Sequence, residues 1–121
     1  MINISTAIFA LHPTAKFTMN AEDYNQLTWY SDDIEKPSLS AINAKIAELE
    51  AAEPMRLLRR ERDRLLTETD WTQGYDVPVG IKTNYTSYRQ ELRDLPSKFN
   101  PIIDTTSVTG ISSVTWPTKP S

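Results

Sequence analysis

Hydrophobic and polar residues alternate at the start of the chain. Ile2, Ile4 and Thr6 are separated by polar residues, a period of two that is typical of β-strands. Two further runs, at 15–19 and 26–30, are rich in apolar and aromatic residues and flank a polar connection at 20–23. We therefore predict a small β or extended region over residues 1–36.

After residue 36 the spacing of apolar residues becomes helical. Pro37 followed by Ser38 is a helix start signal, because the serine hydroxyl can accept a backbone hydrogen bond. Apolar residues then recur every three or four positions, at Leu39, Ile42, Ile46 and Leu49. Pro54 is expected to interrupt this helix, since its ring clashes with the preceding turn. The pattern predicts two helices, at about 38–52 and 54–68, bent or broken at Pro54.

A third helix is predicted at about 80–95. Its apolar seam has spacings of four, three, four and three, and consists of Ile81, Tyr85, Tyr88, Leu92 and Leu95. Pro96 is expected to end it. The seam should pack on the leucines at 57–66 across the loop at 69–80, which favours an antiparallel pair.

The last segment, residues 97–121, shows little regular pattern. Phe99, Ile102 and Ile103 can pack back on the helices, and Trp116 is the residue of the tail that we expect to be buried. The fold class is therefore predicted as α+β: the β or extended region, a two- to three-helix antiparallel arrangement at 37–96, and an extended C-terminal segment. Together these three segments are expected to form one structural unit.

Composition excludes several classes of function. The chain has 121 residues, enough for one domain, and a net charge of −3, which argues against a basic nucleic-acid binder. The absence of cysteine excludes disulfides, thiolate metal sites and cysteine catalysis. The longest apolar run, at 7–11, is too short to span a bilayer, and the N-terminus does not resemble a secretory signal. We predict a soluble protein made in the cytoplasm of the cell that expresses it, with no cofactor, metal, membrane or nucleic-acid partner.

Catalytic patterns are equally weak. His12 is the only histidine, and it lies beside Pro13 without neighbouring acids, so we interpret it as a loop residue. The acidic residues at 32–35 do not have the spacing of a calcium loop. We therefore predict that the chain is not an enzyme.

Five arginines lie within nine residues, at 56–64, but the same helix is rich in acids. Residues 53–70 also hold five carboxylates, and Arg59 with Asp63 and Arg64 with Glu68 have the i, i+4 spacing of helical ion pairs. This balance favours a charge-paired face, whose arginines can anchor a protein partner, over a phosphate-binding patch.

Trp71 stands apart from the aromatic residues on the helical seam. It follows Asp70 and precedes a polar loop that contains Gly74, so it is either a plug between two helices or a docking anchor. We favour the plug.

Several motifs, in order, resemble the phage tail assembly chaperone-like domain over about residues 54–120. They are the arginine-rich helix at 57–66, Thr-Asp-Trp-Thr-Gln at 69–73, Asp-Val-Pro at 76–78, Tyr-Arg-Gln-Glu-Leu-Arg-Asp-Leu-Pro at 88–96, and Val-Thr-Trp-Pro-Thr-Lys-Pro at 114–120. The Ser/Thr/Gly stretch at 104–113 is longer than in the family.

The resemblance implies a non-enzymatic protein of a tailed bacteriophage, with tail or tail-fibre proteins as partners and homo-oligomers as a further possibility. Our first hypothesis is a virion component, an adaptor subunit that stays in the tail after assembly in the host cytoplasm. The alternative is a transient assembly chaperone that is not retained in the virion. In either case the predicted protein-interface residues are Arg59, Trp71, Tyr88, Arg89 and Trp116.

Overall fold

Three helices and two short hairpins form most of the regular structure of residues 2–120, the part of the chain described by this computed structural model. In chain order the elements are α1 (Ile4–Leu11), β1 (Phe17–Thr18), β2 (Thr28–Trp29), α2 (Leu39–Glu68), α3 (Val79–Lys98), β3 (Ile102–Ile103) and β4 (Ile111–Ser112). Single 3₁₀ turns lie at Tyr24–Gln26 and Asp70–Gln73. The predicted α+β class is confirmed, with helix predominating.

The chain divides into two compact units, residues 1–52 and 53–121, and α2 contributes residues to both. The segment boundaries that the sequence predicts at residues 36 and 96, and their assembly into one structural unit, stay predictions. Each unit has its own hydrophobic core.

The N-terminal strand predicted over Ile2–Thr6 is wrong, because α1 occupies this region. Asn3 caps the helix, and its side-chain oxygen accepts a hydrogen bond from the Thr6 amide at 2.8 Å. The apolar residues at 4, 7, 8 and 11 also fit a helical period, and Ala7 and Ile8 are fully buried. The helix is preferred because it buries this pair on one face.

The two later extended pieces are confirmed as an antiparallel hairpin. Phe17 pairs with Trp29 and Thr18 with Thr28, and the rings of Phe17 and Trp29 stack with centroids 6.1 Å apart. The core of this first unit consists of Ala7, Ile8, Ala15, Leu27 and Ile42.

Helix α2 begins where the Pro37-Ser38 signal predicts, but it does not break at Pro54. The Ser38 hydroxyl accepts a hydrogen bond from the Ala41 amide at 3.1 Å, as expected for a cap. Of the two predicted alternatives at Pro54, the break between helices at 38–52 and 54–68 is wrong, because Pro54 lies inside one 30-residue helix. A proline inside a helix removes one backbone donor, which long flanking helical stretches can tolerate.

Helix α3 likewise continues past the predicted end at Pro96, to Lys98. Tyr88, Leu92 and Leu95 of the predicted seam are buried with Leu58 of α2 and Ile111 of β4, and these five residues form the core of the second unit. Since Arg89 of α3 also reaches Leu66 near the end of α2, the two helices run antiparallel across their short connection.

The predicted C-terminal extended segment contains a second hairpin. Ile102 pairs with Ser112 and Ile103 with Ile111, so the long stretch at 104–113 supplies the hairpin connection and the second strand. Ile102 and Ile103 are exposed, which contradicts their expected packing on the helices; Ile111 is the isoleucine that enters the core. Residues 113–120 then continue without regular structure.

Candidate protein interface

The connection between α2 and α3 begins with two buried threonines. The Thr69 hydroxyl donates to the carbonyl oxygens of Leu65 and Leu66 at 3.1 and 3.3 Å, and the Thr72 hydroxyl donates to the Thr69 carbonyl at 2.6 Å. Both side chains are fully buried. These bonds satisfy carbonyls that a helix end leaves without partners, so they fix the direction in which the chain leaves α2.

Arg89 of α3 holds this turn from the other helix. Its guanidinium donates to the Leu66 carbonyl at 2.7 Å, to the Thr69 hydroxyl at 2.9 Å and to the Asp70 carboxylate at 2.9 Å. Only 14% of the side chain is exposed. A planar cation with several fixed donors suits the carbonyl end of a helix, where the partial charge is negative.

The predicted plug role of Trp71 is wrong, because 59% of this residue is exposed. Its ring lies beside Tyr85, with centroids 6.0 Å apart, and Tyr85 meets Tyr88 edge to face at 6.2 Å. The aromatic row therefore runs from the surface at Trp71 to the core at Tyr88. Burial raises the pKa of the Tyr88 phenol.

Further large apolar residues are exposed next to this turn in sequence. Tyr75 is 98% exposed, Val79 is 78% exposed, and Ile81, which was predicted on the seam of α3, is 37% exposed. We call Trp71, Tyr75, Val79 and Ile81 the turn patch. Exposed apolar and aromatic residues concentrated in one short stretch are typical of protein-binding surfaces.

The arginine-rich half of α2 is charge-paired. Arg64 bonds Glu61 at 2.7 Å and Glu68 at 3.2 Å, and Asp63 pairs with Arg62 at 2.9 Å in place of the predicted Arg59. Arg56 hydrogen bonds Glu53 and lowers the pKa of that carboxyl. Arg56, Arg62 and Arg64 are therefore paired with carboxylates, as predicted for a charge-paired face.

The tail of the second unit packs on both helices. Trp116 and Val114 are half-buried against the core, Lys119 forms an ion pair with Glu68 of α2 at 2.7 Å, and the Tyr85 hydroxyl donates to the Pro120 carbonyl at 3.1 Å. The Lys119 ammonium lowers the pKa of the Glu68 carboxyl.

The five predicted interface residues thus fall into different environments. Arg59 and Trp71 are exposed, Tyr88 is in the core, Arg89 is mostly buried, and Trp116 is half-buried. Their roles in binding stay predictions. Tyr75 and Val79 were not predicted, although Tyr75 lies in the loop between Gly74 and Pro78 and Val79 precedes the helical seam, positions that favour exposure.

Neither a metal centre nor a membrane segment is found in the described part of the chain. Residues 2–120 contain no group of three or more histidine, aspartate or glutamate side chains placed to hold an ion. None of the helices found there is both long enough and apolar enough to cross a bilayer.

The second unit is thus a helical hairpin with an exposed aromatic turn and a charge-paired face on α2. The chain belongs to the family described as phage tail assembly chaperone protein, whose model it matches over residues 55–121. The match covers more than half of the chain and nearly all of the second unit. No curated protein and no solved structure gave a match.

Membership of this family confirms the resemblance found in the motifs. It supports a phage tail role and a non-enzymatic one, with tail proteins as partners. It agrees better with the assembly-chaperone alternative than with the virion adaptor that we placed first.

Proposed function

We propose that this protein is a transient assembly chaperone that binds a phage tail protein in the host cytoplasm and is released before the virion is complete. The observation that carries the proposal is the family match, which coincides with the second compact unit. A chaperone must cover an apolar surface of its client, and the turn patch provides an apolar surface for that purpose.

The turn patch is held in position by buried groups, which supports its use as a binding surface. Thr69, Thr72 and Arg89 hold the backbone on which Trp71 is presented. A rigid support reduces the conformational entropy that is lost when a partner binds. Trp71 is therefore the proposed anchor, and Arg89 is the residue that positions its turn.

The test combines purification from infected cells with mass spectrometry of particles. The tagged chain should co-purify with a tail protein during infection and be absent from purified virions. Stoichiometric recovery from virions would favour the adaptor hypothesis, and failure to recover any tail protein from infected cells would contradict both.

Trp71→Ala tests the proposed anchor. We expect a change of less than about 1 kcal/mol in the free energy of unfolding, because the side chain is largely exposed. Recovery of the tail protein should fall at least about tenfold, which corresponds to the loss of about 1.4 kcal/mol or more at an interface.

Tyr30→Ala is the matched control. Tyr30 is 58% exposed, almost the same as Trp71, but it lies in the first unit and outside the family match. Recovery of the tail protein with this variant should equal that of the wild-type chain. Equal losses in the two variants would show that Trp71 has no special role.

A further inference from the structure

Two consecutive residues near the end of the chain attach to the two helices on either side of the connecting turn. The ammonium of Lys119 lies 2.7 Å from the carboxylate of Glu68, the residue at which α2 ends. The carbonyl of Pro120 accepts a hydrogen bond of 3.1 Å from the hydroxyl of Tyr85 on α3. We call Lys119 and Pro120 the clasp, because together they bridge α2 and α3.

Tyr85 is the residue through which the clasp reaches the turn patch. Its ring lies beside the indole of Trp71, with centroids 6.0 Å apart, and meets Tyr88 edge to face. Trp71 belongs to the turn and Tyr85 to α3, so this ring pair is a contact between two elements. An aromatic pair depends on the orientation of both rings, and the hydrogen bond to Pro120 restrains the ring of Tyr85.

Glu68 gives the clasp a second connection to the same turn. It directly precedes Thr69, whose buried hydroxyl is the first of the groups that hold the turn. Both partners of the ion pair with Lys119 are exposed, so the pair adds little to the overall stability. Its effect is local, because it keeps the next residue, Pro120, beside Tyr85.

The side chain of Trp71 depends on Tyr85 for its orientation. The hydrogen bonds of Thr72 and Arg89 hold the backbone of the turn but do not reach the indole. The indole is 59% exposed, and within residues 2–120 its one aromatic neighbour is Tyr85. A change in the position of Tyr85 is therefore expected to change how Trp71 is presented.

We propose that Tyr85 is a positioning residue for Trp71, and that the clasp, by holding Tyr85, determines how rigidly the indole is presented to a partner. A rigid anchor loses less conformational entropy on binding, so an attached clasp raises the affinity of the turn patch. The clasp acts through Tyr85 and needs no contact of its own with the partner. The inference rests on the proposed function only in taking Trp71 as the anchor.

Lys119→Glu tests the proposal in the isolated full chain, because it changes neither ring of the pair. It sets a second carboxylate beside Glu68 and should release the clasp, which the heteronuclear Overhauser effect of the amide at position 119 measures. The indole N–H of Trp71 should then shift its resonance and show a smaller Overhauser effect. Lys45→Glu is the matched control: Lys45 pairs with Glu48 at 3.2 Å in the first unit, and its reversal should leave the Trp71 resonance unchanged.

Tyr85→Phe removes the hydroxyl and keeps the ring. Tyrosine and phenylalanine have similar ring currents, so a shift of the Trp71 indole resonance reports movement and not the substitution itself. Tyr24→Phe is the matched control, since the Tyr24 hydroxyl donates to the Pro37 carbonyl at 2.8 Å in the first unit. Each variant loses one hydroxyl-to-carbonyl bond, but only Tyr85→Phe should move the Trp71 resonance.

Binding is measured with the tail protein recovered from infected cells. Tyr85→Phe and Lys119→Glu should each lower its recovery, by no more than Trp71→Ala does. Added to Trp71→Ala, neither should lower recovery further, because both act through the indole.

Four results would overturn the proposal. They are a Trp71 resonance unchanged in both variants, an amide at position 119 that stays ordered in Lys119→Glu, equal changes in the variants and their controls, and losses of binding that add to that of Trp71→Ala. The resonance measurements use no tail protein, so their failure leaves the co-purification result standing. If no tail protein is recovered, the resonance measurements alone decide whether the clasp positions Trp71.

Discussion

Arg89 is mostly buried, but its hydrogen bonds support the exposed turn that carries Trp71. Its guanidinium donates hydrogen bonds to the Leu66 carbonyl near the end of α2, to the buried Thr69 hydroxyl and to the Asp70 carboxylate. These bonds hold the turn that carries Trp71. Arg89 was predicted as an interface residue with polar contacts to a partner. Because the side chain is mostly buried, we propose that Arg89 acts on binding through the turn.

Arg89→Lys should destabilise the second unit by about 1–3 kcal/mol. A lysine keeps the charge but lacks the planar set of donors, so at least one buried acceptor would lose its hydrogen bond. Urea unfolding followed by circular dichroism measures the difference. Arg93→Lys, on the same helix but bonded only through Gln90 in the described residues, should stay within about 0.5 kcal/mol. Equal effects of the two substitutions would rule out a special role for Arg89.

The exposure of Trp71 could not be predicted from its size or its neighbours in sequence. A tryptophan between two helices is most often buried, because it has a large apolar surface. In this turn the space between the helix ends is taken by Thr69, Thr72 and Arg89, whose hydrogen bonds are long-range or depend on backbone geometry. A single sequence does not contain those distances.

At the scale of elements, periodicity predicted the helices better than their ends. The start of α2 at Ser38 and the burial of Tyr88, Leu92 and Leu95 are as expected, since the three-and-four spacing of apolar residues determines which face is buried. Ile81, at the start of the predicted seam, is exposed. Helix ends expected at Pro54 and Pro96 are absent from α2 and α3, because proline disfavours a helix interior without forbidding it. For α1 the spacing fitted both a strand and a helix, and only packing against Ile42 and the hairpin distinguishes them.

Two glycines in the second unit should respond in opposite ways to alanine. Gly110 has a φ of +83° in the connection between β3 and β4, and an added Cβ would lie 3.3 Å from Leu57 Cδ1. Gly110→Ala should therefore cost about 1–2 kcal/mol. Gly80 lies in the first turn of α3 with nothing near its Cβ position, and Gly80→Ala should stabilise by about 0.5–1 kcal/mol. Thermal melts of both variants test the hairpin and the helix, and a loss of stability in both would contradict the description of α3.

At the scale of the whole molecule, pH should affect how firmly the C-terminal residues 114–120 are held on the second unit. Lys119, and to a lesser degree Arg64, lower the pKa of Glu68 in the folded chain. A carboxyl with a lowered pKa contributes its stabilisation above its unfolded pKa, about 4.3, and loses it as the pH falls through the folded pKa.

The indole resonance of Trp116 should therefore move towards its free position as the pH is lowered below about 4.3. Lys119→Met should remove this shift, because the ion pair is then absent at every pH. Nuclear magnetic resonance follows the indole group directly, and a shift that persists in Lys119→Met would assign the pH dependence to another carboxyl. The carboxyl of Asp104, whose pKa is lowered by its bonds to Thr106, is the first alternative to examine.

The family match starts at residue 55 and the second unit at residue 53, so both begin beside the proline in the middle of α2. Each side of that point has its own core. A different N-terminal unit can therefore be joined to the unit that matches the family by a substitution of sequence before Pro54, without a change in the core of the second unit.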